Sequence, residues 1–551
     1  MNTIAELISS RASDEQTALL FDEQRWSYRE FVEDCAQRAA YLLDARDQSK
    51  PFHIAVLLDN VPEYPLWLGA CALAGATLVG LNPTRRGADM ERDISHTECQ
   101  LMVTESRHMA ALDGLNIDIP PSRINDVDSL EYRERLQPHA GSALPEVQVG
   151  EHDIFCLIFT SGTSGHPKAC IISQGHAVRR ARMLSDAFQL GERDVHYVAM
   201  PLFHSNSLFM GFAPPLVHGG AMALRRKFSA SGFLPDIRRH GASFFNYVGK
   251  PLAYILATPE QPDDAINPLK IAMGNEAADV DIERFSRRFG CTVVDTYGST
   301  EGGALIMRTP DMPRGALGKA ASASTLVMDP DTGQECARAV FDQNGLLLNA
   351  NEAVGELVDT ATANDFEGYW KNEQATDART RNGYIWMGDL AYRDEQDFFY
   401  FVGRDSDRIR VDGENIACAQ IEQVVHRHPK VMLAAVYPVP DPIVGDRVMV
   451  ALQLVNDEEF DVLEFCRFLE QQTDFGSKWM PSFIRLSEAL PTTATNKILK
   501  RKLRQEYWRC EDPVWYRDSK EGPFRLLGRE MVERIEQEFV DRGRASVLGL
   551  A

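Results

Sequence analysis

No CxxC pair occurs among the ten cysteines, which stand singly at 35, 71, 99, 156, 170, 291, 336, 418, 466 and 510. That excludes a zinc ribbon and a thioredoxin-type motif, and reads as reduced thiols of a cytosolic protein. Positive charge is also short. Lys and Arg number 58 against 80 Asp and Glu, a formal charge of −22. The basic footprint that a nucleic-acid backbone demands is therefore missing. Met1 to Ala18 lacks the basic stretch and apolar core of a secretory leader. Two long uncharged stretches, Tyr64 to Thr84 and Val195 to Leu224, are interrupted by glycines, prolines or histidines. A spanning helix needs about 20 strongly apolar residues, so both read as buried core and no transmembrane segment is expected. Glycine and proline, 38 and 28 of 551 residues, are too few for a collagenous or low-complexity chain.

What is present is a globular composition, 44% apolar and 25% charged, on a chain long enough for about three to four units of ~150 residues. Short apolar runs such as Phe52–Leu58 and Ile154–Phe159 alternate with amphipathic segments, the pattern of layered α/β structure. A strand-rich stretch follows Gly383, with Tyr384–Met387 and Asp397–Val402 joined by a hairpin at Asp394–Asp397. The polar run Gly403–Arg408 marks a boundary. The expected division is 1–404, 405–518 and a helical extension, 519–551. In that extension Met531, Val532, Ile535, Phe539 and Val540 recur at helical spacing. Its acids Glu533, Glu536, Glu538 and Asp541 disfavour an anionic lipid surface. Docking on the same chain, or on the second subunit of a homodimer, is favoured over peripheral membrane contact.

The most specific local signal is Ile158-Phe159-Thr160-Ser161-Gly162-Thr163-Ser164-Gly165-His166-Pro167-Lys168. An apolar strand runs into a loop of small and hydroxyl residues and then a lysine. Such a loop turns backbone N–H groups inward around an anion, while hydroxyls and an ammonium add donors. It is not a Walker A loop, because Gly-Lys-Ser/Thr is absent. Thr300-Glu301 follows a strand and can set a hydroxyl and a carboxylate on one magnesium ion. Tyr297 can stack on a base, and Asp389 after a strand can bind ribose hydroxyls. Lys497 to Arg509 holds six basic residues against one acid, a local cationic strip in an acidic protein.

Together these motifs resemble the adenylate-forming superfamily of acyl-CoA synthetases, firefly luciferase and peptide-synthetase adenylation domains. The matching segments run through most of the chain: Thr160–Lys168, Pro201–His204, Gly274–Ala277, Tyr297–Glu301, Gly388–Leu390, Gly403-Arg404 with Ile409–Ile416, and Leu490–Lys497. Phe245–Gly249, Met273–Asn275, Gly302-Gly303 and Asp412–Asn415 are most similar to the fatty-acid-transport-protein type. That type comprises very-long-chain and steroid-acid CoA ligases, here with the bacterial members closest. The resemblance implies a mixed α/β fold. A large N-terminal adenylation domain of layered subdomains would carry a small mobile α+β C-terminal lid. It implies ATP and CoA as co-substrates, magnesium, a small carboxylic acid, and a cytoplasmic setting.

Carried over residue by residue, Thr160, Ser161, Gly162, Thr163, Ser164, Gly165 and Lys168 would hold the β- and γ-phosphates. Thr300 would meet the α-phosphate and Glu301 the magnesium. Gly274, Asn275 and Glu276, with Asp295, Thr296 and Tyr297, would frame adenine. Asp389 and Arg404 would bind ribose. Lys497 would be the catalytic lysine, bridging the acid and the α-phosphate. The hinge would lie at Asp405-Ser406-Asp407. Gly413 and Glu414 would line the pantetheine tunnel, with Arg410 in place of the family's usual lysine. His204 either gates the acyl and thiol routes beside the carboxylate or is a satisfied structural histidine. The implied reaction makes acyl-AMP and pyrophosphate, then a CoA thioester and AMP. Gly298, Gly302 and Gly303 leave room for a bulky acid, a long chain or a fused ring. Two alternatives stand beside it: an acyl-AMP ligase serving a carrier protein, and a non-catalytic nucleotide-binding relative.

Overall fold

The computed structural model describes residues 1–160, 167–343, 345–403, 408–411, 414–443, 445–455, 459–476, 478–493, 496–519 and 522–548. The side chains of 364, 408, 410, 414 and 415 lie outside that description.

Two large sheets build the N-terminal part. The first has six strands in the order Ile124–Asp126, Leu101–Thr104, His53–Leu57, Thr77–Gly80, Ile154–Thr160, Lys168–Ser173. All its pairs are parallel except the last, a hairpin pairing Thr160 with Lys168. The second sheet has thirteen strands. Its parallel centre runs Thr292–Tyr297, Ile271–Asn275, Phe244–Val248, Val195–Val198, Ala221–Leu224 and Thr17–Phe21. Beyond Thr292–Tyr297 it continues antiparallel to the hairpin of Ile385–Arg393 and Phe398–Gly403. That hairpin closes at Asp394–Asp397, as the sequence predicts, with the Asp394 amide on the Phe398 carbonyl.

Between the sheets lie the helices Tyr28–Asp44, Glu63–Ala74 and Gln174–Phe188, whose apolar faces merge into one core. Ser27 and Glu30 form a capping box that fixes the start of the first of these. The second explains the uncharged Tyr64–Thr84 stretch. Every residue from Tyr64 to Ala74 is buried, and Gly75 ends the helix in the left-handed conformation. No helix among the described residues is long and apolar enough to cross a membrane. All ten cysteines are free thiols.

The C-terminal part has its own five-stranded sheet: Val431–Pro440, Asp446–Leu454, Phe483–Leu486, Val514–Tyr516 and Arg525–Leu526. One face packs on the helices Cys418–Val425 and Val462–Glu470. The other carries the helix Lys500–Glu506 and the final helix Arg529–Asp541, whose Ile535 and Phe539 enter the core beside Trp508. Arg509 ties that helix on with an ion pair to Glu536 at 2.6 Å. The last helix therefore docks on its own chain. The connecting residues 404–407, including the expected hinge, lie outside the described residues.

Candidate active site

Parallel strands present their C-terminal ends to one side of a sheet, where loops can converge on a ligand. Here Phe244–Val248, Ile271–Asn275 and Thr292–Tyr297 stand side by side, with Val248 opposite Asn275 and Gly274 opposite Asp295. Their ends deliver Gly249, Glu276 and the Gly298–Gly303 loop to one line. Gly274 admits no side chain, since a Cβ there would sit 2.2 Å from the Tyr247 carbonyl oxygen. Asn275 donates to the Thr296 carbonyl at 2.5 Å. Asp295 is half-buried and accepts from the Tyr247 hydroxyl at 2.8 Å and the Ala277 amide at 3.0 Å. Burial raises its pKa to about 7 against those two hydrogen bonds.

Glu301 lies at the centre of a second group. Its Oε1 accepts from Tyr369 at 2.7 Å and from Thr160 at 3.2 Å; Oε2 faces the Arg379 guanidinium at 3.7 Å. Burial alone would raise its pKa, but the Arg379 charge and the hydroxyl donors overturn that and leave it lowered. Thr300 meets Ser205, Oγ to Oγ, at 2.7 Å. Lys168 lies over the Tyr369 ring, 5.1 Å from its centroid. Burial and then the Arg379 charge lower the lysine's pKa, against Glu301. On the far side Tyr297 donates to Asp389 at 2.6 Å.

The C-terminal part reaches the same place through the loop that carries Lys497. Lys497 donates to Glu276 at 2.6 Å, and its backbone is fixed by a two-way contact with Thr493. Gly249, at φ +73°, lets that loop approach. A Cβ there would lie 2.8 Å from the Asn496 carbonyl oxygen. His204 precedes the Ser205–Ser207 turn, and burial, then the Lys497 charge, hold its pKa down at about 3. Its imidazole is neutral near pH 7 and acts as a single donor and acceptor.

The structure thus brings together Thr160, Lys168, Thr300, Glu301, Asn275, Glu276, Asp295, Thr296, Tyr297, Asp389, His204 and Lys497. Glu276, expected to frame adenine, has its carboxylate engaged by Lys497. Ser161 to Gly165, Arg404 and Gly413 lie outside the described residues, as do the side chains of Arg410 and Glu414. Sequence reasoning missed Tyr369 and Arg379, the two partners that complete the surroundings of Glu301. Each is an isolated residue between motifs, and neither has a spacing that announces it.

The chain matches the model of the AMP-binding enzyme over residues 9–370 and that of the AMP-binding enzyme C-terminal domain over 420–497. It is 45% identical, over 99% of both chains, to a steroid-22-oyl-CoA synthetase of Rhodococcus jostii (strain RHA1). It is 46% identical to the medium/long-chain-fatty-acid–CoA ligase FadD17 of Mycobacterium tuberculosis (strain ATCC 25618 / H37Rv), covering 93% of this chain and 98% of the relative. In fold it is similar to the anthranilate CoA ligase AuaEII solved with anthranoyl-AMP. The TM-score is 0.79 at 19% identity, over 91% of this chain and 96% of the other.

Proposed function

The chain belongs to the AMP-binding enzyme family, and from that premise we propose that it is an ATP-dependent acyl-CoA ligase. It joins a carboxylic acid to AMP with release of pyrophosphate, then passes the acyl group to CoA with release of AMP. The acid is a long-chain fatty acid or a steroid side-chain acid. The observation that carries this reading is likeness over the full chain length to a steroid-22-oyl-CoA synthetase, with the charged residues of one site converging from both parts of the fold.

The chemistry follows from charge. A carboxylate attacking a phosphate brings two anions together, so the site must supply positive charge where negative charge gathers. Lys497 does this between the acid and the α-phosphate. In the structure it ion-pairs with another carboxylate, Glu276, at 2.6 Å. Thr160 to Lys168 hold the β- and γ-phosphates, and Thr300 hydrogen-bonds the α-phosphate after leaving Ser205. Asp389 takes the ribose hydroxyls with Arg404, and Asn275 with Tyr297 borders the base. Arg379 adds a second cation on the phosphate side.

Magnesium suits the donor set. Glu301 is buried and ionised, and only one of its oxygens carries the Thr160 and Tyr369 hydrogen bonds. One carboxylate plus phosphate oxygens is how this small, hard cation is commonly held. When bound, the ion shields the phosphate charge. For the second step the C-terminal part turns about the segment at 405–407, withdrawing Lys497 and bringing Arg410, Gly413 and Glu414 toward the thiol route. A cytoplasmic setting is part of the proposal, supported by ten unpaired cysteines.

The test is AMP release from ATP and magnesium across acetate, octanoate, palmitate, an aryl acid and a steroid bearing a short carboxylated side chain, each with and without CoA. CoA-dependent AMP release, strongest with palmitate or the steroid acid, is expected. Pyrophosphate release with no thioester would point instead to a carrier-protein acceptor, and silence with every acid would overturn the reading.

A further inference from the structure

The segment Ser205–His218 cannot hydrogen-bond as a regular helix. In an α-helix the Met210 carbonyl would accept from residue 214, and in the wider π-register from residue 215. Both are proline and carry no N–H. The chain adopts the wider register over Leu208–Phe212, with the Ala213 amide donating to the Leu208 carbonyl. Met210 is thereby denied a backbone donor in either register. A buried carbonyl without a donor costs about 1–3 kcal/mol, so the fold must supply one from elsewhere.

It comes from His196, on the strand Val195–Val198, whose Nδ1 lies 2.6 Å from the Met210 oxygen. His196 Nε2 is 3.0 Å from Nε2 of His218, and His218 Nδ1 accepts from the Gly220 amide at 3.1 Å. One proton assignment satisfies this chain. Gly220 N–H donates to His218, His218 Nε2–H donates to His196, and His196 Nδ1–H donates to Met210. Both rings are neutral, since burial holds His196 down at about 3 and His218 at about 4.

The other end of the widened turn is tied to the site. Ser205 meets Thr300 at 2.7 Å, Asn206 donates to the Tyr247 carbonyl at 3.2 Å, and Asn246 donates to Asn206 at 2.7 Å. Between the two anchorages Met210 packs with Phe244, Met273, Leu184 and Phe188 on one face of the sheet, directly beneath Asn246 and Asn275. The turn therefore forms a wall from the site down into an apolar layer, and two methionines give that layer adaptable shape.

We infer that His196 is a positioning residue that sets acyl specificity: by supplying the hydrogen bond that Pro214 and Pro215 withhold, it fixes the widened turn as the wall against which the body of the acid rests. The inference rests on the acyl-CoA ligase reading. A flexible unbranched chain can follow a wall that has shifted; a rigid fused-ring acid cannot. Loss of the His196 hydrogen bond must therefore fall hardest on the rigid acid.

The experiment measures kcat and KM for ATP, palmitate and a steroid side-chain acid in the full-length protein, with melting temperature recorded for each variant. His196→Leu removes the donor. His196→Asn keeps an N–H near the Nδ1 position. Pro214→Ala returns an N–H to Met210 but in the regular α-register. For His196→Leu the expected result is a fall of about tenfold in kcat/KM for the steroid acid, the effect of one ordinary hydrogen bond. The fall for palmitate is about twofold to threefold, and KM for ATP is unchanged. His196→Asn should keep the wild-type ratio between the two acids. The double variant His196→Leu/Pro214→Ala should recover melting temperature without recovering that ratio. Equal losses for both acids and ATP, or recovery of the ratio together with stability, would overturn the inference. If His196→Leu does not fold, a wild-type ratio in Pro214→Ala alone would overturn it. Wild-type activity comes first: no CoA-dependent turnover would sink the ligase reading itself, whereas an active wild type with parallel losses in the variants would sink only the role of His196.

Discussion

Lys497 and Glu276 come from different parts of the fold, yet meet at 2.6 Å with each side chain about half exposed, 47% and 50%. An exposed pair of that kind is worth about 0–1 kcal/mol. It can hold the lysine over the strand ends and still yield to an incoming acid. Glu276 is held at φ +67°, so its place is set by the backbone as well as by the ion pair. On the proposed mechanism, Lys497→Ala should abolish acyl-AMP formation, while thioester formation from supplied acyl-AMP survives. Glu276→Gln removes the resting competitor and should lower KM for the acid about twofold to threefold, with melting temperature unchanged. A raised KM for the acid would show that Glu276 contributes to binding instead. The sequence made most of this site legible because small, hydroxyl and acidic residues at strand ends carry their chemistry in their spacing. Thr300-Glu301, Asp389 and Lys497 are of this kind. Tyr369 and Arg379 were not legible. They reach Glu301 through the fold, from 68 and 78 positions down the chain, and nothing beside them in the sequence marks the contact.

Single elements show the same divide. The tail's helix could be read from Met531, Ile535 and Phe539, three positions on one face. Its partner could not, because a hydrophobic stripe states that something will cover it and leaves open what. In the structure Phe539 is fully buried beside Trp508 and Phe483, and the strand Arg525–Leu526 extends the neighbouring sheet. The helix is thus part of the core that backs Lys500–Glu506, just after the lysine loop. Phe539→Ala should cost about 3 kcal/mol, the low end for a buried Phe-to-Ala change. That loss should be confined to the C-terminal part. In hydrogen exchange, amides of residues 431–443, 445–454, 500–519 and 522–541 should lose protection while those of 53–80 and 271–297 keep theirs. Uniform loss across both sets would mean that the tail supports the whole molecule. The widened turn at Leu208–Phe212 is the opposite case. Pro214 and Pro215 are plain in the sequence, but the donor that repairs their effect sits on a separate strand.

For the whole molecule, the buried histidines decide how the fold meets acid. Burial holds His176 and His218 down at about 4, and His196 and His204 at about 3. An unfolded chain would charge all four near 6.5. Their stabilising effect is present above pH 6.5 and is lost as pH falls toward 4, since unfolding then takes up protons. Two carboxylates act the other way. Burial raises Asp93 to about 6 and Asp295 to about 7, so each keeps a proton in the fold that the unfolded chain releases above about pH 4. Their contribution is full at low pH and is lost as pH rises through 6 and 7. Between pH 4.5 and 5.5 these four rings, with His426, which burial also holds well below the ordinary imidazole range, outnumber the two carboxylates, so unfolding takes up protons on balance. Stability should therefore fall steeply as pH drops through this window, although the chain carries −22 at neutrality and loses charge on acidification. Calorimetry in two buffers of different ionisation enthalpy measures the protons directly. A net uptake at pH 5 is expected, and it should fall by about one in His196→Asn. A release of protons, or stability that rises on acidification, would mean that relief of acidic self-repulsion outweighs the buried rings.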